Sequence, residues 1–187
     1  MHHQDQRNSF EKDGWLITKL NNFKSLHEFS CGDHDLNEYF KEDAITHREL
    51  LLTETYEIKD TKTFLSFPIG MVSLCNDAVR KEKIKNQKFY KNLPEKKRYP
   101  NYPAVKITRL GVHSVFQGCQ IGSHMINLLK TMFISENRTG CRLITVDAYN
   151  KKNVIKFYEK NQFQFFSDKD KNKKTRAMFF DLKRLTL

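Results

Sequence analysis

The chain has 187 residues, of which 39% are hydrophobic and 12% aromatic, and its formal net charge is +11. The length predicts one domain, residues 1–187, while the composition excludes a disordered chain and a membrane span, which needs roughly 18 consecutive apolar residues. The charge favours polyanionic partners, either a phosphate-rich cofactor or a nucleic acid, although a solvated basic surface explains it equally well.

The N-terminal stretch MHHQDQRNSFEKDGW contains no apolar signal-peptide core, which predicts a cytoplasmic protein. The four cysteines, Cys31, Cys75, Cys119 and Cys141, are scattered without a CxxC pair. This spacing argues against both a zinc site and a disulfide framework, so we expect four free thiols.

The first half of the chain predicts three strands and one helix. Trp15–Leu20 (WLITKL) mixes β-branched and other apolar residues, which is typical of a strand. Apolar side chains recur at helical spacing in residues 33–50, so we predict a helix there. Residues 51–58 and 64–75 are predicted to form two antiparallel strands, joined by the polar segment KDTKT.

A strongly basic segment follows at about residues 80–103. It holds nine Lys or Arg against two Glu, with aromatic side chains between them at Phe89, Tyr90, Tyr99 and Tyr102. This composition fits an exposed insertion into the domain. It fits equally a surface that binds a nucleic-acid backbone electrostatically while aromatic rings stack on bases.

The second half predicts strands alternating with helices. Residues 104–112 and 142–148 are predicted strands, the latter buried because it is almost continuously apolar. Residues 123–136 and 153–163 are predicted helices, and a closing hairpin ends the chain. We therefore predict a mixed α/β sheet with an antiparallel N-terminal half and a parallel part built from residues 104–148.

Two of only seven glycines, Gly118 and Gly122, lie in FQGCQIGSH at the junction between a predicted strand and a predicted helix. A helix N-terminus presents unpaired N–H groups and a favourable dipole to anions, and glycines let the backbone approach a phosphate closely. The dinucleotide fingerprint GxGxxG and a P-loop lysine are both absent, which disfavours a nicotinamide or nucleoside triphosphate ligand.

RLGVHSVFQGCQIGSHMINLL, followed by VDAYNKKNVIKFYEKNQF, resembles the Gcn5-related N-acetyltransferase family over about residues 104–166. Gln117, Gln120 and Gly122 fall on positions of that family's acetyl-CoA motif, with Gln120 in place of its first glycine. Gln162 likewise replaces the glycine of a frequent Gly-Phe pair. A side chain penalises positive φ, so the turn depends on the conformation that Gln120 can adopt.

The resemblance implies a sheet whose strands 104–112 and 142–148 splay apart around an acetyl-CoA cleft. It implies that backbone groups of Leu110, Gly111 and Val112 hold the pantetheine arm, and that Asn153 contacts the cofactor. It implies a pyrophosphate site at the N–H groups of Gln117, Gly118, Cys119, Gln120, Ile121, Gly122 and Ser123.

Tyr158 falls on the position of the family's general acid, which protonates the departing thiolate. A phenol with a pKa of about 10 suits that role, although packing of the ring on the sheet is the alternative. No general base is evident. His113 could relay a proton through water, but a hydrogen-bonding surface histidine is the simpler interpretation, and Cys119 is interpreted as incidental.

FSCGDHDLNEYFKEDA resembles the opening helix of a toxin branch of the family, whose members acetylate the amino group of aminoacyl-tRNA. That branch implies an antitoxin partner and a homodimer. A small-molecule or protein N-acetyltransferase is the alternative enzyme. An acyl-CoA-sensing or RNA-binding module without activity is the alternative of another class.

Overall fold

The computed structural model describes residues 9–21, 26, 28–63, 65–84, 99–135 and 139–186. The strands are β1 (Ser9–Lys12), β2 (Trp15–Lys19), β3 (Glu54–Asp60), β4 (Gly70–Arg80), β5 (Asn101–Val112), β6 (Leu143–Tyr149), β7 (Gln164–Phe165) and β8 (Thr175–Asp181). The α-helices are α1 (His34–Glu38), α2 (Ala44–Glu49), α3 (Ile121–Ser135) and α4 (Lys152–Lys160), and π-helical Tyr39–Asp43 joins α1 to α2.

The strands form one mixed sheet in the order β1-β2-β3-β4-β5-β6-β8-β7. The predicted mixed α/β fold is therefore confirmed. None of the described helices is both long enough and apolar enough to cross a membrane. The chain divides into two compact units, residues 1–75 with 107–135 and residues 76–106 with 136–187. The predicted single domain stays a prediction.

The first unit is built on an antiparallel ladder. Strands β1, β2, β3 and β4 pair with their neighbours in antiparallel fashion, as predicted for this half of the chain. The hydroxyl of Thr108 on β5 donates to Ser73 O (3.0 Å), and the His113 N–H donates to Ile69 O (2.8 Å). From Thr108 to His113 the residue numbers of their partners fall, from 73 to 69. Strands β4 and β5 therefore also run antiparallel to each other in the first unit.

The helical segment formed by α1, the π-helical residues and α2 packs its apolar face into the core of the first unit. Its first residue follows Asp33, whose side chain accepts from the Leu36 N–H (3.2 Å) and so caps α1. The buried core of this unit contains Leu20, Leu26, Phe29, Cys31, Tyr39, Phe40, Ala44 and Met71.

The second unit contains the parallel strand pair. The Arg142 N–H donates to Pro103 O (2.9 Å), and the Thr145 hydroxyl lies 3.4 Å from Val105 O. Both numbers rise together, so β6 runs parallel to the first part of β5, as predicted. Strand β8 pairs antiparallel with β6 and with β7. The core here contains Val79, Ile84, Tyr102, Ala104, Leu143 and Phe179.

The predicted strand 64–75 was wrong in its bounds. Strand β4 begins at Gly70 and continues to Arg80. Pro68 lacks the N–H that a ladder needs, and the polar second half of β4, which is only partly buried, hid its continuation. Strand β1 was not predicted. Phe64, the first residue of the predicted strand 64–75, lies outside the described residues. Residues 85–98 of the predicted basic segment also lie outside them.

Candidate active site

After β5 the chain turns sharply into α3. A 3-10 turn at Ser114–Phe116 leads into a second turn at residues 117–120, and α3 begins at Ile121. Gly118 has a φ of 83° and Gln120 a φ of 62°, so both take the left-handed conformation that favours glycine. Gln120 therefore adopts the positive φ that its side chain opposes.

The N–H groups of this turn separate into two sets. Three already have acceptors: Gln117 N–H donates to Ser114 O (3.3 Å), Cys119 N–H to Phe116 O (3.4 Å) and Ser123 N–H to Gln120 O (3.0 Å). Within the described residues no partner is found for the N–H groups of Gly118, Gln120, Ile121 and Gly122. Four of the seven N–H groups that are predicted to bind pyrophosphate are thus available as donors, at the start of a 15-residue helix.

The side chain of Gln117 fastens the turn to its surroundings. Its Nε2 donates to Cys31 O (2.7 Å) and to Val112 O (3.1 Å). The Ser114 N–H also donates to Ser30 O (2.8 Å). The turn, the end of β5 and the loop before α1 are therefore one hydrogen-bonded assembly, and Gln117 acts on the turn through its side chain.

Gly111 lies where β5 meets the helical segment. A Cβ at this position would stand 3.1 Å from Phe40 Cε2 and 3.4 Å from Cys31 Sγ. The Cys31 N–H donates to Asn37 Oδ1 (2.9 Å), which holds the loop against the helix. The two sequence segments that carry the family resemblance, FSCGDHDLNEYF and RLGV, therefore pack directly on each other.

His113 is a buried structural residue. Its Nδ1 accepts from the Val115 N–H (3.3 Å), so Nε2 carries the proton and donates to Glu28 O (3.1 Å). The ring stacks on Phe67 with centroids 4.5 Å apart. Both nitrogens are engaged and the residue is 7% exposed, so the expected surface position was wrong and a proton relay is disfavoured.

Tyr158 lies in the second unit, on α4. It is 6% exposed and packs edge to face on Phe163 with ring centroids 5.3 Å apart. Its hydroxyl forms no hydrogen bond with any of the described residues. Burial raises the pKa of Tyr158 well above its usual range, because the charged phenolate would lose its hydration. The phenol therefore stays protonated, as an acid must.

The end of α4 fixes the place of Tyr158. The Phe163 N–H donates to Tyr158 O (2.9 Å) and the Gln162 N–H to Glu159 O (2.8 Å), which is the hydrogen-bond pattern of a Schellman cap. Gln162 has a φ of 66°, the left-handed conformation such a cap requires. This is the second position where glutamine replaces the expected glycine.

Asn150 and Asn153, near the start of α4, differ in whether their side chains are free to contact a cofactor. Asn153 is exposed in the first turn of the helix. Asn150 uses its side-chain Nδ2 to donate to Lys171 O (2.8 Å) and Lys173 O (3.0 Å). Asn153 remains the predicted cofactor contact, whereas Asn150 holds a loop. The predicted residues 110–112 and 117–123 lie in the first unit, and Asn153 and Tyr158 in the second.

Sequence comparison finds neither a matching family model nor a matching curated protein. Solved structures match well. KacT, with one tyrosine replaced by phenylalanine, has a TM-score of 0.71 and 18% identity over 93% of this chain and 98% of KacT. AtaT complexed with acetyl-methionyl-tRNAfMet has a TM-score of 0.68 and 20% identity over 92% and 97%.

A third match is AtaTR bound with acetyl-CoA, which has a TM-score of 0.66 and 20% identity over 94% of this chain and 98% of its own. The chain has the fold of these proteins. At such identities the likeness establishes the fold, in agreement with the sheet order above.

One polar residue of this region was missed in the sequence. Arg109, in RLGV, places its guanidinium carbon 4.7 Å from the centre of the Tyr39 ring, and its Nη1 donates to Thr108 O (3.0 Å). Its buried Nε has no partner among the described residues. Arg109 was interpreted only as part of a strand, since the spacing of its neighbours does not distinguish a partly buried arginine from an exposed one.

Proposed function

We propose that this protein is an acetyl-CoA-dependent N-acetyltransferase. The observation that carries the proposal is the turn after β5, where Gly118 and Gln120 take positive φ and four N–H groups at a helix start have no partner in the described part of the chain. Four N–H donors at a helix start suit a pyrophosphate, whose oxygens are strong acceptors. The fold likeness to a protein solved with acetyl-CoA supports the same ligand.

The cofactor-holding residues in this proposal are those placed along β5 and its turn. Backbone groups of Leu110, Gly111 and Val112 would hold the pantetheine arm, and Asn153 would add a side-chain contact. Gly111 suits this role because its neighbours Phe40 and Cys31 already fill the space on its side-chain face. When bound, acetyl-CoA supplies the acetyl group as an activated thioester.

Tyr158 is the proposed general acid. The amine forms a C–N bond with the acetyl carbon and loses a proton to solvent, while the C–S bond breaks and Tyr158 gives its proton to the sulfur. The raised pKa of Tyr158 keeps the hydroxyl protonated at neutral pH and also makes it a weaker acid toward the thiolate, and after the transfer Tyr158 regains its proton from solvent. A tyrosine was replaced by phenylalanine in the KacT structure, a change of the kind that tests such a hydroxyl.

We propose the amino group of an aminoacyl-tRNA as the acceptor. AtaT, of the same fold, is solved with acetyl-methionyl-tRNAfMet, and the net charge of +11 suits an RNA partner. An α-amino group titrates near 8, about two units below a lysine, so part of it is neutral at pH 7 without a base. An antitoxin partner is proposed because AtaT is also solved with the C-terminus of the antitoxin AtaR. The proposed site of action is the cytoplasm.

The test is thioester consumption with acetyl-CoA, offering charged tRNA, uncharged tRNA and a panel of free amines. We expect turnover with charged tRNA that Tyr158→Phe lowers by about 100-fold or more, the usual range for a general acid. Tyr56→Phe, at a partly buried tyrosine on β3 that has no role in the proposal, is the matched control and should keep full activity. Turnover only with free amines would assign a small-molecule or protein substrate, and binding without turnover would make the protein a sensor.

A further inference from the structure

Five exposed lysines of the second unit lie on two segments that meet next to Tyr149. The segments are the start of α4 and the loop before β8, and the lysines are Lys151, Lys152, Lys171, Lys173 and Lys174. The Lys151 and Lys174 ammonium groups stand 5.7 Å and 5.9 Å from the centre of the Tyr149 ring. We call these five residues the Tyr149 lysine cluster.

Asn150 builds the cluster by tying its two segments together. Its side chain donates to Lys171 O and Lys173 O, and its N–H donates to Lys174 O (2.9 Å). Three hydrogen bonds from one residue fix the loop backbone, so the lysines are presented from a defined frame.

Carboxylates that could neutralise the cluster are engaged elsewhere. Arg176, which is 7% exposed, contacts Asp170 (2.9 Å) and Asp168 (3.8 Å). The Asp170 carboxylate also accepts from the Ala177 N–H (2.7 Å), and these contacts lower the pKa of Asp170 although burial opposes them. Within the described residues, no carboxylate forms an ion pair with any lysine of the cluster.

We propose that the Tyr149 lysine cluster binds the phosphate backbone of the RNA acceptor. The cluster presents five positive charges, while Asp168 and Asp170 leave one net negative charge beside Arg176, and such an excess of positive charge is what a polyanion recognises. Lys152 begins the helix that carries Tyr158, six residues away, so the cluster lies about 9 Å along the helix axis from the proposed acid. That spacing suits phosphates near the aminoacylated end. The inference rests on the proposed function.

The expected effect follows from counterion release. Each lysine–phosphate contact contributes about 0.7 to 0.9 to the slope of log affinity against log salt. Replacing three of these lysines by neutral residues should make this negative slope shallower by about 2 to 3. That change corresponds to an affinity decrease on the order of 100-fold at 0.1 M salt.

The experiment measures binding of uncharged tRNA by fluorescence anisotropy across a range of salt concentrations. The test variant is Lys171→Gln/Lys173→Gln/Lys174→Gln, and the matched control is Lys12→Gln/Lys62→Gln/Lys183→Gln, three exposed lysines outside the cluster. We expect the decreases in slope and affinity given above in the test variant, and a slope within about 0.5 of wild type in the control. Equal slopes in the two variants would overturn the proposal.

A second variant tests the frame without changing charge. Asn150→Ala keeps all five lysines but removes the side-chain bonds to the loop, so uncharged tRNA should bind several-fold more weakly with a similar salt slope. Unchanged affinity would mean that the geometry of the loop is irrelevant and would overturn the proposed role of Asn150.

Acetyl-CoA binding separates this proposal from the proposed function. Both lysine variants should bind acetyl-CoA as wild type does in calorimetry. If charged tRNA is acetylated but the lysine variant binds tRNA normally, the cluster proposal fails alone. If the salt slope falls as expected but no acetyl transfer occurs, the proposed function fails and the RNA site stands.

Discussion

Gln120 offers a test in which the sign of an effect, not only its size, depends on the structure. Its side chain is exposed and its φ is 62°. Gln120→Gly and Gln120→Ala compare a residue without a Cβ with a residue that has one, at the same backbone conformation. At positive φ, alanine carries a steric penalty of roughly 1 kcal/mol or more that glycine avoids, so Gln120→Gly should be the more stable variant.

The control position is Asn127, exposed on α3 with ordinary helical geometry. There the order reverses, because glycine is about 1 kcal/mol worse than alanine inside a helix. At each position we subtract the unfolding free energy of the alanine variant from that of the glycine variant. The value at position 120 should exceed the value at position 127 by about 2 kcal/mol. Each kcal/mol corresponds to a shift of about 2–4 °C in Tm for a chain of this size.

Urea unfolding of the four variants measures these differences, provided the slope with denaturant stays constant. Acetyl-CoA affinity, measured on the same proteins, should be kept in Gln120→Gly, since glycine holds the turn that presents the N–H groups. The reasoning is refuted if alanine proves more stable than glycine at both positions, because residue 120 would then not have a positive φ.

Two further predictions concern packing and ionisation. Gly111→Ala should destabilise by about 1–3 kcal/mol through the 3.1 Å contact with Phe40. Phe40→Leu in the same chain should recover part of that stability, and purely additive urea-unfolding energies would exclude the contact as its cause. For Tyr158 the folded pKa lies above the unfolded value near 10, so its stabilisation is complete below pH 10 and falls by up to about 1.4 kcal/mol per pH unit above it. Burial also raises the pKa of Cys31 and of Cys141, so unfolding free energies should fall from about pH 9 to 11.5 in every variant. The fall should be steeper in a Tyr99→Phe control than in Tyr158→Phe; equal declines would contradict a buried phenol.

The spacing of apolar residues in the sequence was sufficient to predict a strand or helix where burial alone decides which of the two forms. The strand and helix around residues 104–136 and the buried strand at 142–148 were predicted because one face or both faces of each are apolar. Strand β4 was misplaced because its second half alternates between half-buried and exposed residues, and its pairing with neighbours, rather than its composition, keeps it in the sheet.

Contacts between distant residues could not be predicted from a single sequence. Gln117 and Cys31 are 86 positions apart, yet their hydrogen bond joins the turn at residues 117–120 to the loop before α1. His113 contacts Glu28 over 85 positions, which makes a histidine that looks exposed into a buried one. In both cases the local pattern marked the segment correctly, and only the fold showed what its side chain contacts.

Gln120 and Gln162 explain how a motif can lose its glycines and keep its geometry. A turn requires a φ value, and glycine is merely the residue that reaches it at least cost. Both glutamines have the required φ, at 62° and 66°. At position 162 the Arg184 guanidinium donates to the backbone oxygen (3.1 Å) and to Oε1 (3.3 Å), contacts that a glycine could only half provide. Position 120 has no such support among the described residues, so its strain of roughly 1 kcal/mol is offset only by the surrounding turn. Anions held by the N–H groups of that turn would stabilise the same conformation, which links a strained residue to the ligand that the turn is proposed to bind.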